Sequence, residues 1–276
     1  MIATLPRLHA VTDDRVVGAG TVVLRAAAMA EAAGTALAVH LRTRSLEGGA
    51  MLSLARELVA ALRPHGAWLV VNDRGDVARA AGARAVVSGR GALEPADVKR
   101  AAPHLLAGRS VHDAAEVRAA LAGGADFLVA GSIYPTSSHP EAVPAGPPLV
   151  REAAATGLPV VAIGGLTPER VDEVVAAGAW GVAAIRALWD ASDPAAAARA
   201  FLARLPADAT VGLVVNGEAR RSRRGITLAQ LLADLGLDAR AVVVEHNRRI
   251  VRRDALGGAR IAEGDQIELV HFVGGG

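Results

Sequence analysis

The sequence predicts an α/β protein in which a (β/α)8 barrel is followed by a small α+β domain. Short apolar runs alternate about eight times with alanine-rich segments of helical period, which is the pattern of a parallel sheet closed into a barrel. Glycines precede several of the apolar runs, as they do where a helix ends and the chain re-enters a sheet. Beyond Leu205 the alternation stops and a different pattern begins. We therefore expect two domains, residues 1–205 and 206–276.

Eight barrel strands are predicted from the apolar runs, and the segments between them have helical spacing. The predicted strands are Leu8–Thr12, Leu37–Leu41, Trp68–Val71, Ala85–Val87, Leu105–Ala107, Phe127–Ala130, Val160–Ile163 and Val182–Ile185. The predicted helices are Thr21–Ala33, Leu52–Leu62, Val77–Ala81, Pro95–Ala101, Ala114–Leu121, Leu149–Ala155, Pro168–Ala177 and Pro194–Arg204. An open, doubly wound sheet is the alternative, but the Gly18–Gly20 turn does not complete a dinucleotide-binding fingerprint.

The second domain has hairpin and helix signals of its own. Asn216-Gly217 separates the predicted strands Thr210–Val215 and Glu218–Ser222, and Asn-Gly between apolar runs is a strong hairpin signal. Thr227 precedes a short amphipathic segment and is its predicted cap. The remaining predicted elements are the helix Leu228–Leu235 and the strands Ala241–His246 and Ile267–Phe272. One helix among several strands predicts a small α+β domain.

Composition excludes several classes of protein. The chain has 276 residues, of which 52% are hydrophobic, and a formal net charge of +2, so we expect neither disorder nor general nucleic-acid binding. It contains no cysteine, which excludes disulfides and thiolate chemistry. We find no secretory leader and no apolar run approaching the roughly 18 residues that cross a membrane. We therefore expect a cytoplasmic protein without a membrane partner.

The chain ends in a predicted strand that runs directly into Gly274-Gly275-Gly276. Three glycines form a tail narrow enough to enter the active site of another protein, with a free carboxylate at its tip. A disordered tail is the other interpretation of this composition.

Residues 208–276 resemble ThiS, the β-grasp, ubiquitin-like sulfur carrier of thiazole synthesis. The matching stretches are Val214–Gly217, Thr227-Leu228, Leu231-Leu232, Val244–Asn247, Gly264–Ile267 and Val270–Gly276. The resemblance implies that an adenylating enzyme activates Gly276 and that sulfur then replaces one carboxyl oxygen to give a thiocarboxylate, with Gly275 giving steric access. It also implies a thiazole synthase as partner and no catalysis by this domain.

Polar residues follow several predicted barrel strands at their carboxyl ends, where the functional residues of such barrels lie. These stretches are His40–Arg44, Asn72–Arg74, Gly131–Pro140 and Ile163–Pro168. The bare amides of Gly164 and Gly165 before a helix predict a phosphate cradle.

Residues 5–205 resemble the thiamine phosphate synthase/TenI family. The matching stretches are Leu8–Asp14, His40–Arg44, Val71–Arg74, Gly108–His112, Gly131–His139, Ile163–Leu166 and Gly181–Ile185. The resemblance implies a TIM barrel that binds a thiazole phosphate. The implied phosphate- and substrate-binding residues are Arg42, Arg44, Asn72, Ser110, His112, Thr136, Ser138, Gly164, Gly165, Ile185 and Arg186.

Two activities are known in this family. The synthase joins an aminopyrimidine diphosphate to a thiazole phosphate, with Mg²⁺ bridging the diphosphate. Its first carboxylate corresponds to Asp73, but its second falls on Ala92. Its loop lysine corresponds to His139, and its serine after strand eight corresponds to Arg186. We expect Asp73 to bind Mg²⁺ only if the barrel is a synthase.

The TenI-type tautomerase aromatises a thiazole phosphate carboxylate by moving a proton. This reaction needs no metal or other cofactor, only a group that titrates near neutral pH, hence a histidine. Gly108–His112 and the His40-x-Arg42 pattern are more similar to this branch, but its catalytic histidine corresponds to Ser132. We therefore expect His139, on the same loop, to be the acid/base, with Ser132 and His40 as further candidates.

Simpler interpretations remain open for these residues. His139 is also compatible with an exposed loop residue, His40 with a satisfied core histidine, and Asp73 with a helix cap. A tautomerase joined to a sulfur carrier is the preferred interpretation. A Mg²⁺-dependent synthase and a non-catalytic scaffold that binds thiazole phosphate are the alternatives, and the chain is compatible with a homo-oligomer.

Overall fold

The computed structural model describes residues 5–136, 143–206, 210–223, 226–262 and 264–271. The chain divides into two compact units, Leu5–Leu205 and a second one within residues 206–276. In the first unit, eight parallel strands close into a barrel in sequential order, and the second contains a five-stranded sheet. The predicted fold class, a (β/α)8 barrel followed by a small α+β domain, is confirmed.

The barrel strands lie where the apolar runs predict them, within a few residues. They are β1 Leu8–Val11, β2 Leu37–Leu41, β3 Trp68–Asn72, β4 Ala85–Ser88, β5 Leu106–Val111, β6 Phe127–Ala130, β7 Val160–Ile163 and β8 Gly181–Ala184. The helices are α1 Asp14–Gly18, α2 Val22–Ala33, α3 Gly48–Leu62, α4 Gly75–Ala81, α5 Pro95–Ala101, α6 Ala114–Ala122, α7 Gly146–Ala154, α8 Val171–Ala176, α9 Arg186–Trp189 and α10 Pro194–Leu202.

The barrel closes because β1 pairs in parallel with both β2 and β8. Alternate strand residues point outwards and pack against the helices, among them the fully buried Leu8, Leu37 and Leu128. Each such leucine contributes about 2 kcal/mol through burial of its apolar surface. Inside the barrel, the ring of Phe127 packs against Gly108, where an added Cβ would lie 2.4 Å from the ring. The interior is therefore filled near the start of β6, and a cavity lies towards the carboxyl ends of the strands.

Strand β5 is longer than the sequence predicts. The prediction ended at Ala107 because Gly108, Arg109 and Ser110 interrupt the apolar run. In the structure the strand continues to Val111, since Arg109 forms an ion pair with Glu94 (3.1 Å) while Ser110 lines the interior cavity. Charged and polar residues are thus accommodated on opposite faces of the same strand.

The elements of the second unit are β9 Thr210–Val215, β10 Glu218–Arg223, α11 Leu228–Asp234, β11 Val242–His246, β12 Arg249–Val251 and β13 Gln266–His271. Its strands pair in the order β10-β9-β13-β11-β12, and α11 lies between β10 and β11 in the sequence. Thr227 caps α11 through a reciprocal capping box with Gln230. Strand β12 was not predicted, because its turn residues Asn247 and Arg248 adopt positive φ without a glycine to signal it.

A buried carboxylate fixes the neighbourhood of β13. Asp265 accepts hydrogen bonds from the Asn247 side chain (2.8 Å) and the Ala262 amide (2.7 Å), and it lies 2.7 Å from Nε2 of His246. The Leu269 amide donates a further hydrogen bond to Oδ1 of Asn216 (2.6 Å). These contacts fix the position of β13, which the terminal glycines follow in the sequence. Among the described residues, no helix is both long and apolar enough to cross a membrane.

Candidate active site

A cavity of about 720 Å³ opens at the carboxyl ends of the barrel strands. The structure brings together along it most of the residues that the sequence singles out: His40, Arg42, Arg44, Asn72, Asp73, Ser110, His112, Ser132, Thr136, Gly164, Gly165, Ile185 and Arg186. The other predicted site residues, Ser138, His139, Gly275 and Gly276, lie outside the described residues. The roles assigned to all of these residues remain predictions.

The lining of the cavity is strongly cationic. Among the described lining residues, Asp73 is the one with an acidic side chain. Five arginines line the cavity: Arg42, Arg44, Arg90, Arg170 and Arg186. Converging cations raise the local concentration of anions. The sequence analysis did not select Arg90 or Arg170 as site residues. The available signal was that Arg90 follows β4 and Arg170 lies in the segment after β7.

Asp14 shapes the loop that carries Arg44. Its Oδ1 accepts hydrogen bonds from the Thr43 hydroxyl (2.5 Å), the Arg44 amide (2.7 Å) and the Ser45 amide (3.0 Å). The Thr43 bond, followed by the Arg44 bond, lowers the pKa of Asp14 to about 2. The loop after β2 is therefore fixed by a carboxylate that stays ionised at neutral pH.

Asp73 adopts a left-handed backbone conformation at the end of β3, with φ of 62°. Its Oδ1 accepts a hydrogen bond from the Gly89 amide (2.7 Å). Helix α4 has Arg74 at its N-cap, without a side-chain capping bond. The helix-cap interpretation of Asp73 is therefore wrong, because its carboxylate instead holds the turn after β4. A non-glycine residue in this region of φ costs about 1–3 kcal/mol and is often found at functional sites.

The cavity offers fewer carboxylate ligands for Mg²⁺ than the family resemblance assigns to the synthase. Mg²⁺ prefers carboxylate and other oxygen ligands. Oδ1 of Asp73 accepts a hydrogen bond from Gly89, and Ala92 corresponds to the second carboxylate that the family resemblance implies. In the part of the chain that the structure describes, no three His, Cys, Asp or Glu residues cluster closely enough to hold a metal.

Gly164 and Gly165 have a structural reason to be glycine. Both adopt positive φ (104° and 63°), and an added Cβ would lie 2.7 Å from Cα of Ser132 or 2.6 Å from the carbonyl oxygen of Pro135. The Tyr134 amide also donates to the Gly164 carbonyl (3.0 Å). The pair thus lets the chain after β6 pack directly on the end of β7, while both residues still line the cavity.

Tyr134 and Arg170 are in contact near the carboxyl ends of β6 and β7. The tyrosine hydroxyl donates to Glu173 (2.5 Å), and the Arg170 guanidinium lies 4.6 Å from the centre of its ring. Burial, with the Glu173 bond, raises the pKa of Tyr134 to about 12. Arg170 also donates to the Gly165 carbonyl (2.6 Å), so its charge is held beside the β7 end.

His112 lies at the cavity in contact with a carboxylate. Its Nδ1 is 2.8 Å from Oε2 of Glu116, which also accepts from the His112 amide (2.8 Å). The other oxygen, Oε1, pairs with Nε of Arg90 (2.6 Å). Although partial burial opposes it, the hydrogen bonds from His112 and Arg90 lower the pKa of Glu116. The carboxylate therefore orients both cavity-lining side chains.

His40 is buried and also lines the cavity, with only 1% of its surface exposed. Its Nε2 lies 2.7 Å from Nδ1 of His9, and Nε2 of His9 lies 2.9 Å from the carbonyl oxygen of Pro6. Burial, followed by the proximity of His9, holds the pKa of His40 well below its usual range. Burial likewise lowers the pKa of His9 to about 4. His40 is thus a buried histidine whose Nε2 has a hydrogen-bond partner, as the core-histidine interpretation expects. The same residue also lines the cavity.

Comparison with known proteins gives a family for each part of the chain. A family model described as thiamine monophosphate synthase matches residues 8–188, and the ThiS family model matches residues 213–276. The thiamine-phosphate synthase of Chromobacterium violaceum is 40% identical over 199 residues, covering 70% of this chain and 93% of that protein. The bifunctional protein ThiM/ThiE of Symbiobacterium thermophilum is 46% identical over 167 residues, which span 59% of this chain and 35% of the relative.

The barrel is also similar to solved structures. Thiamine phosphate pyrophosphorylase from Pyrococcus furiosus has a TM-score of 0.64 and 30% identity, covering 72% of this chain and 94% of that one. The chain therefore belongs to the thiamine monophosphate synthase family, with its barrel fused to a ThiS family domain, and it acts in thiamine biosynthesis.

Proposed function

We propose that the barrel is a thiazole tautomerase, which moves a proton on a thiazole phosphate carboxylate so that the ring becomes aromatic. The observation that carries this proposal is the lining of the cavity, in which the described residues include five arginines, two histidines and one hydrogen-bonded carboxylate. A substrate that bears a phosphate and a carboxylate suits such a cationic site. A proton shift also needs acid/base groups and no metal.

The substrate phosphate binds at the ends of β7 and β8 in this proposal. The residues there are Gly164, Gly165, Arg170, Ile185 and Arg186, all of which line the cavity. Arginine recognises phosphate through paired, charge-assisted hydrogen bonds. Arg42 and Arg44 follow β2 and line the same cavity, and in this proposal they bind the substrate carboxylate.

The proton shift needs a group that accepts a proton from one carbon and returns it to another. His139 is the acid/base that the sequence predicts, on the same chain segment as Ser132. The described residues offer two more histidines at the cavity, His40 and His112. His112 is held by Glu116 near the entrance, where 44% of its side chain is exposed. His40 is shielded from water, which favours transfer between substrate and enzyme over loss of the proton to solvent.

A synthase that joins an aminopyrimidine diphosphate to thiazole phosphate is the second candidate. Two observations favour it. Relatives named thiamine-phosphate synthase are 40% or more identical, and Asp73 corresponds to the first carboxylate that the family resemblance implies for the synthase. The cationic lining could also hold a diphosphate. Formation of thiamine phosphate and release of pyrophosphate distinguish this activity from a proton shift.

For the C-terminal domain, we propose that Gly276 carries sulfur as a thiocarboxylate for thiazole synthesis. The ThiS family match extends to residue 276 and supports this assignment. Its partners are then an adenylating enzyme that activates Gly276 and a thiazole synthase that receives the sulfur. Fusion keeps the barrel near the synthase that the tail visits, which raises the effective concentration of the barrel at the point where its substrate is formed.

The tautomerase assignment is tested with the non-aromatic thiazole phosphate carboxylate as substrate. The purified full chain is treated with EDTA and aromatisation is followed by ultraviolet absorption and proton NMR. Catalysed aromatisation that reaches the same rate with and without EDTA supports the proposal. A rate equal to that of the buffer alone contradicts it.

A further inference from the structure

Two histidines lie in contact inside the barrel, on neighbouring strands. His9 belongs to β1 and His40 to β2, and their side chains are buried, with 0% and 1% of their surface exposed. The strand register pairs His9 with Ala38 and Val11 with His40, so the two imidazoles come from successive inward positions of the adjacent strands. His40 lines the cavity, while His9 lies behind it and makes the 2.7 Å contact from Nδ1 to Nε2 of His40.

The protonation of each ring nitrogen follows from the hydrogen bonds. The Pro6 carbonyl can only accept, so Nε2 of His9 carries a proton and donates to it (2.9 Å). A neutral His9 then has an unprotonated Nδ1, which must accept from Nε2 of His40. Consequently a neutral His40 carries its proton on Nε2, and its Nδ1 has a free lone pair. Burial lowers the pKa of both residues and keeps the pair neutral.

Asn72, at the end of β3, supplies a second and independent observation. Its Oδ1 is buried and has no hydrogen-bond partner among the described residues, although Asn72 lines the cavity. Burial and the proximity of His9 lower the pKa of His40, and the neighbouring Asn72 side chain opposes them by favouring the protonated form. An imidazolium with a proton on Nδ1 would therefore find an acceptor in place, whereas the neutral pair leaves Oδ1 without a donor.

We propose that Nδ1 of His40 is the atom that receives the substrate proton, and that His9 is the positioning residue that keeps this nitrogen unprotonated. The inference rests on the proposed tautomerase function. One substrate C–H bond breaks, its electron pair enters the conjugated ring, and an N–H bond forms at Nδ1. The same proton then passes to a second carbon of the conjugated system, whose double-bond electrons form the new C–H bond. His40 returns to its neutral state and no oxidant or reductant is required.

His9 acts through His40 and does not touch the substrate. Throughout the cycle it accepts the Nε2 proton of His40 while donating to Pro6, so its own protonation does not change. Without it, neutral His40 could hold its proton on either ring nitrogen, and part of the enzyme would present an N–H group where the lone pair is needed. The loss should appear in kcat more than in KM, because substrate binding depends on the arginines.

The test combines nitrogen NMR with steady-state kinetics on the full-length chain. With histidine labelled by ¹⁵N, His40 is expected to give the signals of the tautomer protonated on Nε2. In His9→Leu we expect a mixture of tautomers and a fall in kcat of about tenfold or more, with KM nearly unchanged. In His9→Gln the amide oxygen can still accept from His40 and the amide nitrogen can donate to Pro6, so activity and tautomer should be largely kept. His40→Gln should lower kcat by about a hundredfold or more.

The control is His104→Gln, an exposed histidine in the segment before β5, at the opposite end of that strand from the cavity. Thermal unfolding of each variant shows whether the barrel has remained folded. A wild-type His40 that carries its proton on Nδ1 overturns the inference, and so does full kcat in a folded His9→Leu. If the wild type does not aromatise the substrate, the proposed function fails, while the NMR result still decides the role of His9. That spectrum needs no substitution, so a variant that does not fold leaves the test intact.

Discussion

Oδ1 of Asp73 accepts a 2.7 Å hydrogen bond from the backbone amide of Gly89, the first residue of the turn that carries Arg90 and Ala92. The carboxylate thus connects the ends of β3 and β4. We expect the arginines of the cavity, and not Asp73, to bind the anionic groups of the substrate. The first two predictions concern Asp73 and one of these arginines.

Chelation should leave aromatisation unaffected. We expect EDTA to change the rate by less than about twofold, since a proton shift needs acid/base groups and no metal. The matched variant is Ala92→Asp, which restores a carboxylate to the turn. Calorimetric titration with Mg²⁺ should show binding about tenfold tighter than in the wild type. Loss of activity on chelation, restored by Mg²⁺, would show that Asp73 is sufficient as a ligand.

Replacing Arg186 by alanine should weaken binding of the substrate phosphate. A hydrogen bond to a charged group contributes about 1.5–3 kcal/mol, so KM should rise about ten- to a hundredfold. Steady-state kinetics with the phosphorylated substrate and its dephosphorylated analogue give the measurement, and the KM of the analogue should change little. Arg199→Ala is the control, because this exposed arginine on α10 lies 4.0 Å from Asp193 and does not line the cavity. An equal rise in KM for both substrates would remove Arg186 from the phosphate site.

The barrel should lose stability on mild acidification. An unfolded histidine titrates near 6.5, but His9 in the folded barrel has a pKa of about 4. Between these values the unfolded chain binds a proton that the folded chain does not, so the free energy of unfolding falls as the pH drops from about 6.5 to about 4. His9 alone accounts for roughly 3 kcal/mol, and His40 acts in the same direction.

Urea unfolding at several pH values measures this effect. The three tryptophans, Trp68, Trp180 and Trp189, all lie within the barrel unit, so their fluorescence follows that unit. In His9→Gln the dependence on pH should be shallower, because one buried titrating group is gone. A wild-type barrel whose stability does not change between pH 7 and pH 4.5 would contradict the buried, neutral pair.

Gly164→Ala should destabilise the barrel and impair catalysis. The added methyl group would lie 2.7 Å from Cα of Ser132, and φ at this position is 104°. Steric overlap and backbone strain together should lower the free energy of unfolding by about 1–3 kcal/mol. The comparison is Gly49→Ala in α3, where nothing lies within 4 Å of the added atom and alanine favours the helix by about 1 kcal/mol. Unfolding curves of the two variants should shift in opposite directions.

The carrier function predicts a specific covalent change at Gly276. Incubation with the carrier-activating enzyme, ATP and a sulfur donor should increase the protein mass by the difference between sulfur and oxygen. Intact-protein mass spectrometry followed by fragmentation would locate the change to the terminal residue. A chain truncated after Gly274 should stay unmodified, whereas modification elsewhere would contradict the assignment.

The sequence was sufficient for the barrel because each strand is a short apolar run between segments of helical period. Phe127–Ala130 and Val160–Ile163, for example, have the same bounds in the prediction and in the structure. Strand β12 was missed because Asn247 and Arg248 form its turn without a glycine. The predicted β5 was too short because polar residues interrupt its apolar run. These residues are accommodated by tertiary contacts, such as the ion pair between Arg109 and Glu94, which the sequence does not show.

Site residues were predictable where they belong to a local motif and not where they depend on packing across strands. His40, Asn72 and Asp73 follow from their positions at strand ends. The partner of His40 does not, since His9 reaches it only through the register of β1 and β2. Similarly, the sequence was compatible with Asp73 as a helix cap. Its actual contact with Gly89 depends on the pairing of β3 with β4.

The central proposal, a proton shift instead of a coupling reaction, is tested most directly in one reaction mixture. The full-length chain is supplied with Mg²⁺, aminopyrimidine diphosphate and the non-aromatic thiazole phosphate carboxylate, and the products are separated by chromatography. We predict the aromatic thiazole phosphate carboxylate, with neither thiamine phosphate nor pyrophosphate above the background without enzyme. Thiamine phosphate formed together with an equal amount of pyrophosphate, and lost on removal of Mg²⁺, would contradict the proposal and identify the barrel as a synthase.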